Sequence, residues 1–340
     1  MSWKQQLKAD PLPWLLESSS PGARHLALRD LVGGAGRAEL ARARAAAHKH
    51  GPIAVILRHM DKEGYWVRPG PGYNPKYRSA VWSLLSLAQL GASIEEDERI
   101  SRACGYILDH GLADGGQFSS VSTGAASGTV DCLQGNLCWA LLELGCDDPR
   151  LDQAFEWMAR SVTGEGVAPT SETDAPRRFY AYKCGPGFAC GVNANLMCAW
   201  GGVKVMLALA QLPGERRTPL IRRAIKRGTD LLLSVDPATA AYPTRTGDKP
   251  SRNWWKFGFP VFYVTDLLQL VEVFVALGYA RDRRLARSLQ IIREKQDAKG
   301  RWPLEYDYLM GKMWLDYGKP KQPNKWVTLR ALRVLKAAAV

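Results

Sequence analysis

Histidine is scarce in this chain, five residues in 340, and none follows His110. A site drawn from the rest of the chain therefore has no imidazole to use as base or metal ligand. No stretch approaches the roughly 18 uninterrupted apolar residues of a membrane-spanning helix. The first ten residues also lack the apolar run of a signal peptide, so a cytoplasmic protein is expected. The seven cysteines contain no Cys-x-x-Cys pair, the tight spacing that marks a zinc site strongly. An odd number of cysteines without an export signal points to free thiols or ligands rather than a disulfide framework. Two-residue apolar alternation is almost absent, which argues against strands. No nucleic-acid fold signature accompanies the basic charge, so a nucleic-acid partner is not expected.

What the chain has in abundance is positive charge and tryptophan. Lys and Arg number 46 against 33 acids, a net charge of +13, which favours an anionic small molecule or an acidic membrane surface as partner. The basic clusters at 216–227 and 281–287 are the candidates for peripheral membrane contact. Twelve Trp, 12 Tyr and 8 Phe need a packing or binding reason. A Gly/aromatic turn recurs at Gly64-Tyr65-Trp66, Gly116-Gln117-Phe118, Gly164-Glu165-Gly166 and Gly300-Arg301-Trp302, with a degenerate copy near Tyr242. Each turn lies between a basic amphipathic helix and a more apolar one. The apolar helices are expected at 79–90, 129–144, 199–212, 262–277 and 328–338, and the basic ones near 53–59, 99–110, 152–161, 220–235 and 283–295. A sixth pair is expected at 22–32 and 36–48. An apolar helix must be covered all round, whereas an amphipathic partner covers it and still faces water. The pattern predicts an all-α fold.

The run Gln296-Asp297-Ala298-Lys299-Gly300-Arg301-Trp302 resembles the glutamine-to-tryptophan turn of squalene cyclases. Its weaker copies are similar to the repeats of the terpenoid cyclase and protein prenyltransferase superfamily. The resemblance implies a single α/α toroid of five to six helical hairpins with a central cavity. It would span residues 51–340, with residues 1–50 as an amino-terminal helical extension or first hairpin. It further implies an active cavity at the amino-terminal ends of the inner helices. The chain departs from the cyclases in lacking an Asp-x-Asp-Asp acid motif, and from diphosphate-ionising enzymes in lacking Asp-Asp-x-x-Asp.

The segments leading into the apolar helices hold most of the chemistry-bearing residues. Tyr77, Trp82, Trp200, Trp255, Phe259, Tyr263 and Trp326 are candidates to line an apolar pocket, where aromatic faces stabilise positive charge. Lys76, with Arg78, Lys183, Lys204, Lys256 and Lys325, is a candidate to hold an anionic head group. Asp266 and Asp131 are the candidate proton donors, with Glu305 and Asp307 behind them, since burial among aromatics raises a carboxyl pKa. Asp266 is preferred because it interrupts an aromatic run, although a capping carboxylate explains it as well. Cys132 joins the catalytic candidates as a thiol acid or base. These residues lead us to expect an enzyme that acts on an apolar isoprenoid-like or polycyclic molecule by acid-initiated cyclisation, isomerisation or hydration/dehydration, without a cofactor. One alternative is a zinc enzyme with Asp131, Cys132, Cys184 and Cys198 as ligands, which activates a thiol or water. Another is a non-catalytic toroid that binds a lipid or a partner protein.

Overall fold

The computed structural model describes residues 3–121, 128–167, 183–247, 250–306 and 308–339. A short helix α1 (Leu12–Leu15) leads into α2 (Pro21–Asp30), and the chain then alternates between two layers. The inner layer consists of α2, α5 (Ala80–Gln89), α7 (Asp131–Glu143), α9 (Ala199–Gln211), α11 (Leu267–Ala276) and α13 (Lys325–Ala337). The outer layer holds α3 (Arg37–Lys49), α4 (Pro52–Arg58), α6 (Glu98–Gly111), α8 (Arg150–Thr163), α10 (Pro219–Leu232) and α12 (Ala286–Glu294). Along the inner layer α5 packs on α7, α7 on α9, α9 on α11, α11 on α13, and α13 on α2. Leu26 of α2 lies against Gly91, just after α5, which closes the six inner helices into a ring, and their carboxy-terminal halves all reach one central cavity. The fold is all-α, a single α/α toroid.

The helix boundaries follow local chemistry. Helix α11 begins at Leu267, five residues later than the sequence pattern suggests, because Asp266 caps it by accepting the Gln269 N–H at 2.8 Å. Helix α13 begins at Lys325, three residues early, because the Asn324 side chain accepts the N–H groups of Trp326 and Val327 at 3.0 and 3.1 Å. Between α8 and α9 the chain forms what alternation did not suggest, three two-residue strands: β1 (Cys184–Gly185), β2 (Ala189–Cys190) and β3 (Leu196–Met197), antiparallel in that order.

The repeated turn is one device used several times. In three copies the residue that opens the turn donates its N–H to a carbonyl four residues on: Asp61 to Tyr65 at 2.8 Å, Ala113 to Gln117 at 2.7 Å and Asp297 to Arg301 at 2.8 Å. Gly64, Gly116 and Gly300 take φ values of 102°, 83° and 69°, which only glycine adopts without strain. In the first and last of these the aromatic then reaches back ten residues to the preceding outer helix. Trp66 Nε1 donates to the Ile56 carbonyl at 2.8 Å, and Trp302 Nε1 to that of Ile292 at 2.7 Å. The degenerate fourth copy does the same with a phenol, since Tyr242 Oη donates to the Leu232 carbonyl at 2.6 Å. Gln296, the motif glutamine, latches the amino-terminal segment by accepting from Lys8 N–H at 3.0 Å and donating to the Gln6 carbonyl at 3.1 Å.

The tightest contact in the ring is between α7 and α9, where a Cβ on Gly135 would lie 2.2 Å from the Lys204 carbonyl carbon. A backbone obstacle cannot rotate away. Gly135→Ala should therefore spread the two helices and cost about 1–3 kcal/mol, despite the better helix propensity of alanine. Urea denaturation at constant m-value measures it.

Candidate functional site

Inside the ring the inner helices present one stripe each to the axis, spaced by three or four residues as a helix requires. Asn136, Trp139 and Glu143 of α7 line the central cavity, and Cys132 lies one turn earlier on the same stripe. Leu207 and Gln211 of α9 do likewise, with Lys204 and Trp200 preceding them. These stripes stack into three layers of different chemistry.

The amino-terminal layer is aromatic. Tyr77 and Tyr263 share a hydroxyl–hydroxyl hydrogen bond of 2.9 Å, and the Trp82 ring lies 5.3 Å from Tyr77 and 6.1 Å from Tyr263. Tyr73 and Phe262 complete the cluster at 5.1 and 5.2 Å from Trp82. The Lys76 ammonium stands 5.7 Å over the Tyr73 ring and 5.2 Å over that of Tyr263. Lys76, Tyr77, Trp82 and Tyr263 are thus brought together as the sequence suggested. The other expected aromatics go elsewhere. Trp200 lines a separate cavity of about 380 Å³ with Cys190, Cys198, Tyr242 and Trp254. Phe259 stacks on Trp326 at 5.0 Å and borders the carboxy-terminal cavity, while Trp255 donates its indole N–H to the Ala238 carbonyl at 2.8 Å.

The middle layer is ionic, and it corrects the expectation of one aromatic cavity along the axis. Arg330 of α13 makes five hydrogen bonds: two of 3.0 Å to the Asp266 carboxylate, 3.0 and 2.8 Å to Glu272, and 2.8 Å to the Gly258 carbonyl. Asp266, the preferred proton donor on sequence grounds, is fully buried and has both oxygens gripped by this guanidinium while Oδ1 caps α11. A carboxylate held this way is a structural anion. Beside it lies Lys204, fully buried, whose amine bonds Gln269 Oε1 and, at 3.4 Å, Thr265 Oγ1. Burial pushes the Lys204 pKa down to about 7, against the pull of Asp266. Lys204 is therefore no surface holder of an anionic head group. Lys325, from the same set, is paired with Glu17 at 2.8 Å. Sequence reasoning passed over Arg330 and Glu272, although a charge within an apolar helix was the same signal that drew attention to Asp266.

The carboxy-terminal layer surrounds a cavity of about 450 Å³, whose charged lining comes from Arg29, Asp30, Glu143, Glu272, Arg330 and Arg333. Here Gln211 donates to Glu143 at 2.9 Å, and Arg333 pairs with Asp30 at 2.5 Å.

Asp131 opens α7 with its carboxyl buried and both oxygens without a hydrogen-bond partner among the described residues, near Cys184, Cys190 and Ser161. Burial raises its pKa to about 8, so it keeps a proton at neutral pH. The adjacent Cys132 thiol is pushed up to about 12, first by burial and then by Cys190 and Asp131, with Lys204 pulling the other way. Asp131, Cys132, Cys184 and Cys198 share this neighbourhood. Among the described residues, however, no three His, Cys, Asp or Glu side chains converge on a point that could hold a metal ion. The zinc set does not fit its metal. Glu305 is paired with Lys295 at 2.5 Å, and Asp307 lies outside the described residues.

Two stability predictions follow from this geometry. Arg330→Met strands Asp266 and Glu272 as unpaired anions in the core, and should cost about 3–5 kcal/mol in chemical denaturation. The second concerns Asp131, which binds more protons folded than unfolded between its ordinary value of 3.8 and about 8. The contribution of Asp131 to stability is thus full below about pH 4 and declines as pH rises to about 8. Asp131→Asn lacks that loss. Its advantage over wild type in thermal denaturation should be absent near pH 4, grow with pH, and level off above pH 8.

Among solved structures, the chain is similar to a protein from Actinoplanes, with 12% identity, 87% of this chain and 100% of that chain covered, and a TM-score of 0.31. It is similar to the type II terpene cyclase MstE from Scytonema at 12% identity, 87% and 97% coverage and a TM-score of 0.32. A variant of that cyclase in complex with its substrate, geranylgeranyl dihydroxybenzoate, matches at 12% identity, 87% and 96% coverage and a TM-score of 0.32. No protein-family model and no curated protein matches. Likeness this distant carries no inference about activity.

Proposed function

We propose that the chain is an enzyme that holds an apolar, isoprenoid-like or polycyclic small molecule at the amino-terminal mouth of the inner ring. There it acts by proton transfer, in a cyclisation, isomerisation or hydration/dehydration. The observation that carries the reading is a buried carboxyl with no hydrogen-bond partner among the described residues, Asp131, placed at the start of the helix whose lumen stripe begins with Cys132. A buried neutral acid beside thiols is a group poised to give up a proton. Protonation of an alkene leaves a carbocation. The faces of Tyr73, Tyr77, Trp82 and Tyr263 supply the negative π surface that such a cation needs, on the order of 0.5–2 kcal/mol for each desolvated ring. Loss of a proton, or capture of water, then ends the reaction.

In this scheme Asp131 is the proton source and Cys132 the neighbouring group on the lumen side. Lys204, with its pKa near 7, is the adjacent group able to accept a proton back. Lys76, at the exposed rim over Tyr73 and Tyr263, suits a substrate with an anionic head group. No metal is needed for these steps.

The test is incubation of the purified protein with isoprenoid alcohols and diphosphates in heavy water, with products read by gas chromatography and mass spectrometry. A rearranged or hydrated product carrying deuterium is expected. Asp131→Asn should lower turnover about 100-fold or more while the circular dichroism spectrum is unchanged. Because the protonated carboxyl is the active form, wild-type turnover should fall as pH rises through about 8. Equal turnover by wild type and Asp131→Asn would overturn the role of Asp131. A tightly bound ligand recovered chemically unchanged would make the protein a binding toroid instead.

A further inference from the structure

Two cysteines outside that proton path meet in the small sheet between α8 and α9. Cys190 pairs with Leu196 across the β2–β3 hairpin, and the ladder continues where the Cys198 N–H donates to the Phe188 carbonyl at 2.8 Å. Cys198 is therefore the diagonal neighbour of Cys190 on one face of the hairpin, close enough for side chains to touch. Both residues border the cavity of about 380 Å³ formed with Trp200, Tyr242 and Trp254, and both are only partly buried.

We propose that Cys190 is a peroxide-reactive thiol and Cys198 its resolving partner. In the first step the Cys190 sulfur attacks one oxygen of a hydroperoxide. An S–O bond forms, the O–O bond breaks, and the departing oxygen takes a proton to leave as water or an alcohol. In the second step the Cys198 sulfur attacks the Cys190 sulfenic acid. An S–S bond forms, the S–O bond breaks, and the oxygen leaves with the Cys198 proton as water. The two thiols lose two electrons, which reduce the peroxide.

Three features bear on this pair. The neighbouring Cys198 thiol, ahead of the backbone at Asn193 and Val192 and the charge of Lys183, holds the Cys190 pKa below the usual thiol value against its burial. Cys198 caps α9, its Sγ accepting the Gly201 N–H at 3.5 Å, so the attacking sulfur of the second step is held beside its target. Cys104, Cys138 and Cys184, the last opposite Cys190 across β1–β2, are buried, whereas the partly buried Cys146, also lowered by a neighbouring thiol, is the internal comparison. The consequence is mechanical as well. Disulfide-bonded residues have Cα atoms typically about 5.5–6 Å apart, closer than a diagonal hairpin pair at about 7–8 Å. Oxidation should draw the hairpin toward the start of α9 and reshape the wall of the Trp200 cavity.

The experiment treats the full-length reduced protein with hydrogen peroxide and maps every cysteine by peptide mass spectrometry over time. A Cys190–Cys198 disulfide should form about tenfold or more faster than oxidation at any other cysteine. The variant Cys198→Ser should accumulate a Cys190 sulfenic acid that dimedone traps. Oxidation of Cys190 no faster than that of Cys146, or its passage to sulfinic acid in the wild type without a disulfide, would overturn the proposal. The wild-type map decides the matter even if the variant fails to fold. Neither readout requires turnover of any other substrate, so the outcome is independent of the proposed activity.

Discussion

The Arg330 clamp holds the centre of this molecule. One guanidinium from the last helix of the ring binds Asp266, Glu272 and the Gly258 carbonyl, and Asp266 in turn caps α11. The last inner helix is thereby joined both to its neighbour and to the irregular segment that leads into it. Buried ion pairs of this kind add little net stability over an apolar core, but removal of one member is severe. The clamp therefore specifies how α11 and α13 sit against each other more than it drives folding. Folding itself is driven by the apolar inner helices and their amphipathic covers, which together bury an extensive core.

The clamp also divides the lumen. Below it lies a charged cavity at the carboxy-terminal ends of the inner helices, and above it an aromatic mouth at their amino-terminal ends. Lys204 and Gln269 complete the partition between them. The shifted proton affinities of Asp131, Cys132 and Lys204 come first from the same burial that makes the ring stable.

Much of this was legible in the sequence because it depends on local periodicity. The alternation of apolar and basic helices gave the two layers, and the recurring Gly/aromatic turn marked where each inner helix is approached. Even the degenerate copy at Tyr242 kept the function of its tryptophan counterparts, since a phenol hydroxyl reaches the same carbonyl as an indole N–H. The grouping of Lys76, Tyr77, Trp82 and Tyr263 was also within reach, because these residues lead directly into neighbouring inner helices. The partnership of Asp266 was not. Whether a carboxylate inside an aromatic run is an acid or a clamped anion depends on a guanidinium 64 residues away.

The sequence by itself determined the fold class, the two-layer order and the turns, since each rests on residue spacing within a single helix or loop. Only the tertiary structure decided which charges face one another across the ring. That choice clamped Asp266 beneath Arg330, buried Asp131 without a partner among the described residues and set Cys198 diagonal to Cys190. The physical reason is that a titratable group takes its character from its neighbours in space and its distance from water, and sequence spacing fixes neither across a closed ring of helices.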